Sequence, residues 1–326
     1  MIISRTPLRM SFVGGGSDLP AFYRGHEGAV VSTAVNKYVY VTINAKFDQH
    51  IRVSYSRTEE VVSADQVEHP LVRESLKKVG LTGGVEITSI ADIPSRGTGL
   101  GSSSAFTVGL LHGLHVYQGR YRSAEQLAQE CCEIEIQRCG EPIGRQDPYA
   151  AAYGGFNFIR FLSDDSVSVE PIVCRRETLQ RLQDHLLTFY TGTTRSASTI
   201  LREKQRNIAQ EKAKRDTLCE MVRLAHELRA ELQNNNLEAF GALLHANWRL
   251  KKSLARDVSN RGLDHWYSLA RRSGAQGGKL LGAGAGGFLM FYAPPERHGA
   301  IRRALRPLRE VPMRFEPQGS RIIFVH

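Results

Sequence analysis

Pro94-Ser95-Arg96-Gly97-Thr98-Gly99-Leu100-Gly101-Ser102-Ser103-Ser104 sets three glycines and three serine hydroxyls directly ahead of the apolar run Ala105-Phe106-Thr107-Val108-Gly109-Leu110-Leu111. Glycines at this density let backbone N–H groups approach an anion with no Cβ in the way. A helix starting here adds unpaired donors at the positive end of its dipole. The serines suit a cap or first turn, and their hydroxyls can reach phosphate oxygens or a cation. Because the following run is apolar on nearly all sides, its helix is expected to be buried and its start firmly held. A phosphate cradle is the favoured reading, and a glycine-rich turn before a capped core helix is the plainer one. A P-loop of the Gly-x-x-x-x-Gly-Lys-Ser/Thr type is excluded, since Gly278-Lys279 is followed by Leu280.

Working outward, Gly282-Ala283-Gly284-Ala285-Gly286-Gly287 matches Gly-x-Gly-x-x-Gly, but Phe288–Tyr292 and Pro294-Pro295 follow it. That reads as a buried strand stopped by proline, where a dinucleotide fingerprint needs a helix. The segment is either a tight loop between strands or a loop closing over a ligand. At the N-terminus, Arg5-Thr6-Pro7-Leu8-Arg9-Met10-Ser11-Phe12-Val13 runs into Gly14-Gly15-Gly16-Ser17-Asp18. Such a loop suits a polyhydroxylated ligand: Asp18 can accept bonds from sugar hydroxyls and Arg9 can neutralise a transferring phosphoryl group. Helix capping is the ordinary alternative for Asp18. On a helix expected over 124–139, Ala124, Leu127, Cys131 and Ile134 form the apolar stripe, which turns Glu135 inward and Glu133 outward. An inward carboxylate needs a salt bridge or a metal. Gly140–Tyr149 then delivers Asp147 at a turn before proline. Thr191-Gly192-Thr193-Thr194-Arg195 is a second candidate anion site, with Arg195 or Arg145 holding a phosphate, or else a capped helix start.

Taken in order, these motifs resemble the GHMP kinases (galactokinase, homoserine kinase, mevalonate kinase, phosphomevalonate kinase) from Arg5 to Gly287 and beyond. Within them, Arg5–Asp18 and Gly140-Glu141-Pro142-Ile143-Gly144-Arg145-Gln146-Asp147-Pro148-Tyr149-Ala150-Ala151-Ala152-Tyr153-Gly154-Gly155 are similar to the D-glycero-D-manno-heptose 7-phosphate kinases. The resemblance implies an α+β fold of two lobes. Residues 1–174 would be a mixed ATP-binding lobe with a left-handed βαβ-type phosphate loop, and 175–326 a ferredoxin-like lobe with added helices. It further implies that Gly97, Gly99, Leu100, Gly101, Ser102, Ser103 and Ser104 hold the ATP phosphates, with Ser103 and Glu135 on Mg2+. Asp147 would accept the acceptor's proton or orient its hydroxyl, Arg9 would stabilise the transition state, and Gly14, Gly15, Gly16, Ser17 and Asp18 would bind the sugar. Gly284 and Gly286 match the late glycine motif, and Gly15 stands where galactokinases have a glutamate, against plain galactose as acceptor.

Composition agrees with an enzyme. The 326 residues are 41% apolar, without a run of ~18 apolar residues, so one or two sizeable cores and no membrane span are expected. Arg5 and Arg9 interrupt any leader-like opening, and the cytoplasm is expected from the cysteines. Cys131, Cys132, Cys139, Cys174 and Cys219 are odd in number and lack a Cys-x-x-Cys pair, so they read as reduced thiols. The net charge of +10 is carried largely by helices such as 202–206 and 212–215, where a solvated face is the ordinary explanation. Without a dense basic stripe or stacking aromatics, nucleic acid is excluded and small anionic substrates are favoured, namely ATP and a sugar phosphate. A homodimer is compatible with this reading.

Strands are expected at 2–13, 29–32, 38–44, 51–55, 84–90, 156–161, 166–172 and 185–190, in a pair over 278–292, and at 313–316 and 321–325. Helices are expected at 71–79, 102–117, 124–139, 175–183 and 296–305, with three more between 196 and 273. The function that follows is an ATP-dependent kinase for the anomeric hydroxyl of a heptose 7-phosphate. A kinase for another sugar or small alcohol stands next, and a sugar sensor without turnover third.

Overall fold

The computed structural model describes residues 1–94, 97–192 and 197–326. Its strands are β1 (Ile2–Val13), β2 (Gly28–Ala45), β3 (Ile51–Ser54), β4 (Thr58–Val61), β5 (Val85–Ala91), β6 (Phe156–Phe161), β7 (Val167–Pro171), β8 (Leu186–Tyr190), β9 (Gly277–Leu280), β10 (Phe288–Tyr292), β11 (Arg309–Glu310) and β12 (Arg321–Val325). Its helices are α1 (Pro20–Tyr23), α2 (Pro70–Val79), α3 (Ser102–Tyr117), α4 (Ala124–Cys132), α5 (Gln146–Tyr153), α6 (Arg176–Asp184), α7 (Ala197–Gln210), α8 (Lys212–Gln233), α9 (Phe240–Ser253), α10 (Arg261–Arg272) and α11 (Pro295–Ala304).

An eight-stranded mixed sheet is built on β2, which pairs with β1 along its length, with β6 through residues 28–33 and with β5 through 39–45. The strands expected at 29–32 and 38–44 are therefore one. The polar Asn36-Lys37 pair reads as a break, yet the backbone N–H of Asn36 donates to the Arg314 carbonyl and its side chain accepts from the Arg314 N–H, so the strand continues. That same contact holds 313–316 extended with an isolated Val35–Phe315 bridge in place of the expected strand. β12 returns to pair antiparallel with β1, so the segment after 175 contributes to both sheets. The second sheet is antiparallel in the order β11-β8-β10-β9. β10 alternates between two cores: Phe288, Met290 and Tyr292 join the first sheet's core, whereas Leu289 and Phe291 join Trp248, Tyr267 and Phe189.

Helix α3 lies across β1 and β2. Gly109 permits the approach, since a Cβ there would stand 2.7 Å from the Thr6 hydroxyl oxygen, and its carbonyl accepts from Ser4 Oγ at 2.7 Å. The expected three helices after 196 are four, α7 to α10. No glycine or proline marks the break at Glu211; Arg215 Nη1 takes the carbonyls of Ile208 and Ala209 that α7 leaves without partners. Among the described residues, no helix is long and apolar enough to cross a membrane.

Phe12 ties these layers at the end of β1, with ring centroids 5.7, 5.4 and 6.3 Å from Phe156, Phe240 and Phe315. Phe12→Ala is expected to cost about 3–5 kcal/mol in urea denaturation. A loss below about 1 kcal/mol would contradict a close-packed junction there.

Candidate active site

Helix α3 starts from Gly101, which has φ +74° and ψ +28° and leaves the first-turn N–H groups facing a cleft of about 1230 Å³. The loop before it is fixed from two sides. Arg9 of β1 donates its backbone N–H to the Leu100 carbonyl at 3.0 Å, and the buried Leu100 side chain anchors the turn. From the other side comes the late glycine cluster: a Cβ at Gly99 would stand 2.4 Å from the Leu281 carbonyl oxygen, and one at Gly287 the same distance from that of Thr98. The Gly282–Gly287 segment is thus both the link between β9 and β10 and the backing of the 97–101 turn.

The helix expected over 124–139 widens into a π-helical turn at Glu133–Arg138, a distortion that re-aims side chains. Glu135 is fully buried and ringed by donors. Ser103 Oγ donates at short range, Ser104 Oγ at 2.5 Å, Thr107 Oγ1 at 3.4 Å and Cys131 Sγ at 3.5 Å. Among the described residues no cation pairs with it, so a salt bridge does not explain its burial. Burial pushes its pKa up to about 6 despite these donors, so at neutral pH it is chiefly an anion lacking a counter-charge. Ser103 is exposed on the cleft side, so a carboxylate and a hydroxyl form a hard-oxygen pair there.

Asp147 lies in the first turn of α5 rather than in a free turn, and Arg9 grips it with Nε to Oδ1 and Nη2 to Oδ2, both at 2.7 Å. The third donor, Nη1, takes the Gly99 carbonyl at 2.7 Å. The Arg9 side chain is 4% exposed and that of Asp147 21%, so the carboxylate keeps a face toward the cleft. A Cβ at Gly101 would lie 3.3 Å from Asp147 Oδ2, which puts this carboxylate against the start of α3. Asp18 is buried and accepts from the N–H groups of Gly16 at 2.9 Å and Gln146 at 3.3 Å, so it does not cap α1. Burial first, and then Asp147, push its carboxyl above the usual range. Gly144 makes this juncture possible, because a Cβ there would stand 1.9 Å from Asp18 Oδ2.

One cleft therefore gathers Arg9, Gly15, Gly16, Asp18, Ser103 and Asp147 with the 97–101 glycines, while Glu135 and Ser104 sit behind its wall. Gly14 and Ser17 are turned inward: the Gly14 N–H donates to Asn247 Oδ1, and Ser17 Oγ bonds the Gly14 and Ala29 carbonyls. Gly284 is seated on Val258 and, with Gly286, lies outside the lining, where Gly282 and Ala283 stand instead. Arg145 is spent elsewhere, paired with Asp165 and stacked over Tyr23. Gly192 is exposed at the end of β8, and Arg195 lies outside the described residues. The far end of the cleft has an apolar wall of Leu71, Ile93 and Phe106.

Sequence reasoning missed three buried lysines at the near end. Lys204 and Lys251 line the cleft, and Lys279 donates to the carbonyls of Ser11 and Phe12. A signal existed for Lys204: it interrupts Ile200 and Ile208 at helical spacing, on the buried stripe of α7.

Two family models match the chain: the GHMP kinases N terminal domain over residues 67–155, and GHMP kinases C terminal over 228–311. The chain belongs to the GHMP kinases. It is 29% identical over 320 residues to a D-glycero-alpha-D-manno-heptose 7-phosphate kinase of Campylobacter jejuni, covering 94% of this chain and 93% of that one. A crystal structure of a D-glycero-D-manno-heptose 1-phosphate kinase from Bacteroides thetaiotaomicron superposes with a TM-score of 0.81 at 25% identity and full coverage of both chains. Lactococcus lactis galactokinase, crystallised with galactose, shares the fold with a TM-score of 0.79 at 17% identity, covering 98% of this chain and 94% of that one. As a GHMP-family sugar kinase, the chain is an ATP-dependent phosphotransferase.

Gly144→Ala drives a methyl group into the Asp18 carboxylate and so shifts Asp18 and the start of α5 together. Turnover of the sugar kinase is expected to fall about 100-fold with helical content unchanged by circular dichroism. Near-normal turnover would mean that this juncture tolerates displacement.

Proposed function

We propose that this chain transfers the γ-phosphoryl group of ATP to the anomeric (C1) hydroxyl of D-glycero-D-manno-heptose 7-phosphate, giving the 1,7-bisphosphate used for nucleotide-heptose and surface-polysaccharide precursors in the cytoplasm. The observation that carries the reading is the Asp147 carboxylate, held by both oxygens on Arg9 while facing the cleft beside the start of α3. The Campylobacter relative's name supports the choice of acceptor. The Bacteroides structure's name gives a 1-phosphate kinase, but its identity of 25% is lower than the 29% of the Campylobacter relative.

In this reading the backbone N–H groups of the 97–101 turn and the first turn of α3 hold the ATP phosphates, with the base toward Leu71, Ile93 and Phe106. Each Asp147 oxygen retains a lone pair beyond its bond to Arg9, so the acceptor's hydroxyl can donate to it and be aimed, or deprotonated, in line with the γ-phosphorus. Arg9, fixed by Asp147 and the Gly99 carbonyl, faces the charge that develops on the transferred group. Asp18, Gly15 and Gly16 face the sugar. The Ser103 hydroxyl and Glu135 carboxylate fit Mg2+, because a buried anion without a counter-charge sits beside an exposed hydroxyl. When bound, Mg2+ would neutralise the terminal phosphate oxygens.

An assay of ADP release over heptose 7-phosphate, the unphosphorylated heptose, other hexose phosphates and galactose tests the acceptor, with phosphorus NMR locating the new ester. Heptose 7-phosphate is expected to lead in kcat/KM by roughly 100-fold over the unphosphorylated sugar, and a better acceptor elsewhere in the panel would replace it. Asp147→Asn is expected to bind nucleotide as before and to lose about 10²–10⁴-fold in kcat. Retained turnover in that variant would remove Asp147 from the chemistry.

A further inference from the structure

Lys204 occupies a core position of α7. It is 2% exposed, between Ile200 at 5% and Ile208 at 0% one helical turn to either side. Its stem packs as those neighbours do, and its ammonium lines the cleft, where Cδ and Nζ both stand 3.7 Å from the point a Cβ on Gly16 would take. Among the described residues this ammonium makes no hydrogen bond and no ion pair. Burial holds the Lys204 ammonium below the usual lysine range, Asp18 offsets this only in part, and no hydrogen bond joins the two among the described residues.

The surroundings deepen the imbalance. Lys251 and Lys279 are buried nearby and donate only to main-chain carbonyls, Lys251 to Leu280 and Gly282 and Lys279 to Ser11 and Phe12. Arg9 is neutralised by Asp147. Among the described residues, Lys204 is thus the buried amine of this group that faces the cavity with nothing to donate to. A buried ammonium left in that state is strongly unfavourable, and it becomes favourable when an anion completes it. Gln146 lines the same wall with its side-chain carbonyl oxygen buried and without a partner among the described residues, an acceptor suited to a sugar hydroxyl.

We propose that Lys204 binds the phosphate monoester already carried by the acceptor. The inference rests on the reading of the acceptor as a sugar phosphate, and it assigns to Lys204 what the sequence offered to Arg195, which lies outside the described residues, or to Arg145, which is paired with Asp165. The other phosphoryl group in the reaction is the one being transferred. Lys204 stands against Gly16, whereas Gly99 and Gly101 of the phosphate-type turn have Leu281, Arg9 and Asp147 as close neighbours. The acceptor's own phosphate is therefore the better match.

The test compares wild type, Lys204→Met and Lys204→Arg as full chains. In steady-state kinetics with heptose 7-phosphate and the unphosphorylated heptose, Lys204→Met is expected to raise KM for the phosphorylated acceptor at least about 30-fold and to collapse the ratio between the two acceptors. KM for ATP moves far less, and Lys204→Arg recovers part of the discrimination. Calorimetric titration of inorganic phosphate into protein saturated with ADP and Mg2+ is expected to show binding in wild type and none in Lys204→Met. The ligand-free Lys204→Met chain is expected to melt at or above the wild-type temperature, since an unpaired buried charge has been removed.

An unchanged KM ratio with phosphate binding intact overturns the proposal. So does an equal fall in kcat on both acceptors, which would assign Lys204 to the transferred group, or a lower melting temperature with discrimination intact, which would make the lysine structural. Phosphate binding that depends on Lys204 in an enzyme inactive on heptose 7-phosphate supports the subsite while replacing the acceptor named above.

Discussion

The bidentate contact between Arg9 and Asp147 is the constraint on which the cleft depends. Arg9 belongs to β1, Asp147 opens α5, and the remaining guanidinium donor holds the Gly99 carbonyl, so one side chain fixes a strand, a helix and the phosphate-type turn to hydrogen-bond lengths. A buried ion pair adds little net stability over apolar packing, but removing one partner strands the other. The pair is better understood as a positioning device than as a source of stability. Phosphoryl transfer asks little covalent chemistry of the protein and depends on in-line placement and charge neutralisation, so a device of this kind supplies much of what the reaction needs. The Asp18–Gly144 juncture extends it, since the Asp18 carbonyl accepts the Arg145 N–H and its carboxylate the N–H of Gln146, the residue directly before Asp147.

The cleft separates two electrostatic problems. Among the described residues, a buried carboxylate at the start of α3 pairs with no cation, whereas beside Gly16 a buried lysine amine makes no hydrogen bond or ion pair. In an apo protein both are costly, and opposite in sign. In the proposed reaction a magnesium nucleotide would bring a divalent cation to the first, and a phosphorylated acceptor would bring an anion to the second. The chain's excess of basic residues is therefore not only a solvated helical face. A few of its cations are placed where solvent cannot neutralise them, which is where a charge contributes most to selecting a ligand.

Much of this was legible in the sequence for a physical reason. Glycine-rich turns, a serine-opened apolar helix and an inward glutamate are local features, and each recurs in the structure near its expected place. Non-local features were not legible. The eighteen-residue β2 is continuous because Arg314, far along the chain, bonds Asn36 where local polarity signals a break. The α7–α8 break carries no glycine or proline, because Arg215 supplies the cap from inside the next helix. The π-helical turn that seats Glu135 has no residue signature, since it is set by what the carboxylate must reach. Lys204 was read as part of a solvated run because its neighbours Arg202, Glu203 and Arg206 are charged, although its spacing from Ile200 and Ile208 placed it on the buried side.

The buried lysines also show how the two halves of the chain are joined. The end of β1 cannot satisfy all its carbonyls in the sheet, because the strand bends there into the glycine loop; Lys279 of the second sheet takes those of Ser11 and Phe12, and Asn247 of α9 takes the Gly14 N–H. Lys251 of α9 likewise takes carbonyls at Leu280 and Gly282. These lysine amines are used as backbone donors, so the end of β1 is held from the later half of the chain and not by its own sheet alone. Burial, with Arg9 and Lys204 nearby, lowers Lys279 to about 7, a value that its backbone bonds tolerate because even a neutral amine still donates. Among the described residues, Lys204 has no such partner. Within one cluster of lysines, hydrogen bonding among the described residues thus divides those that hold backbone from Lys204, to which the proposal assigns a ligand, a division that charge or burial alone does not make.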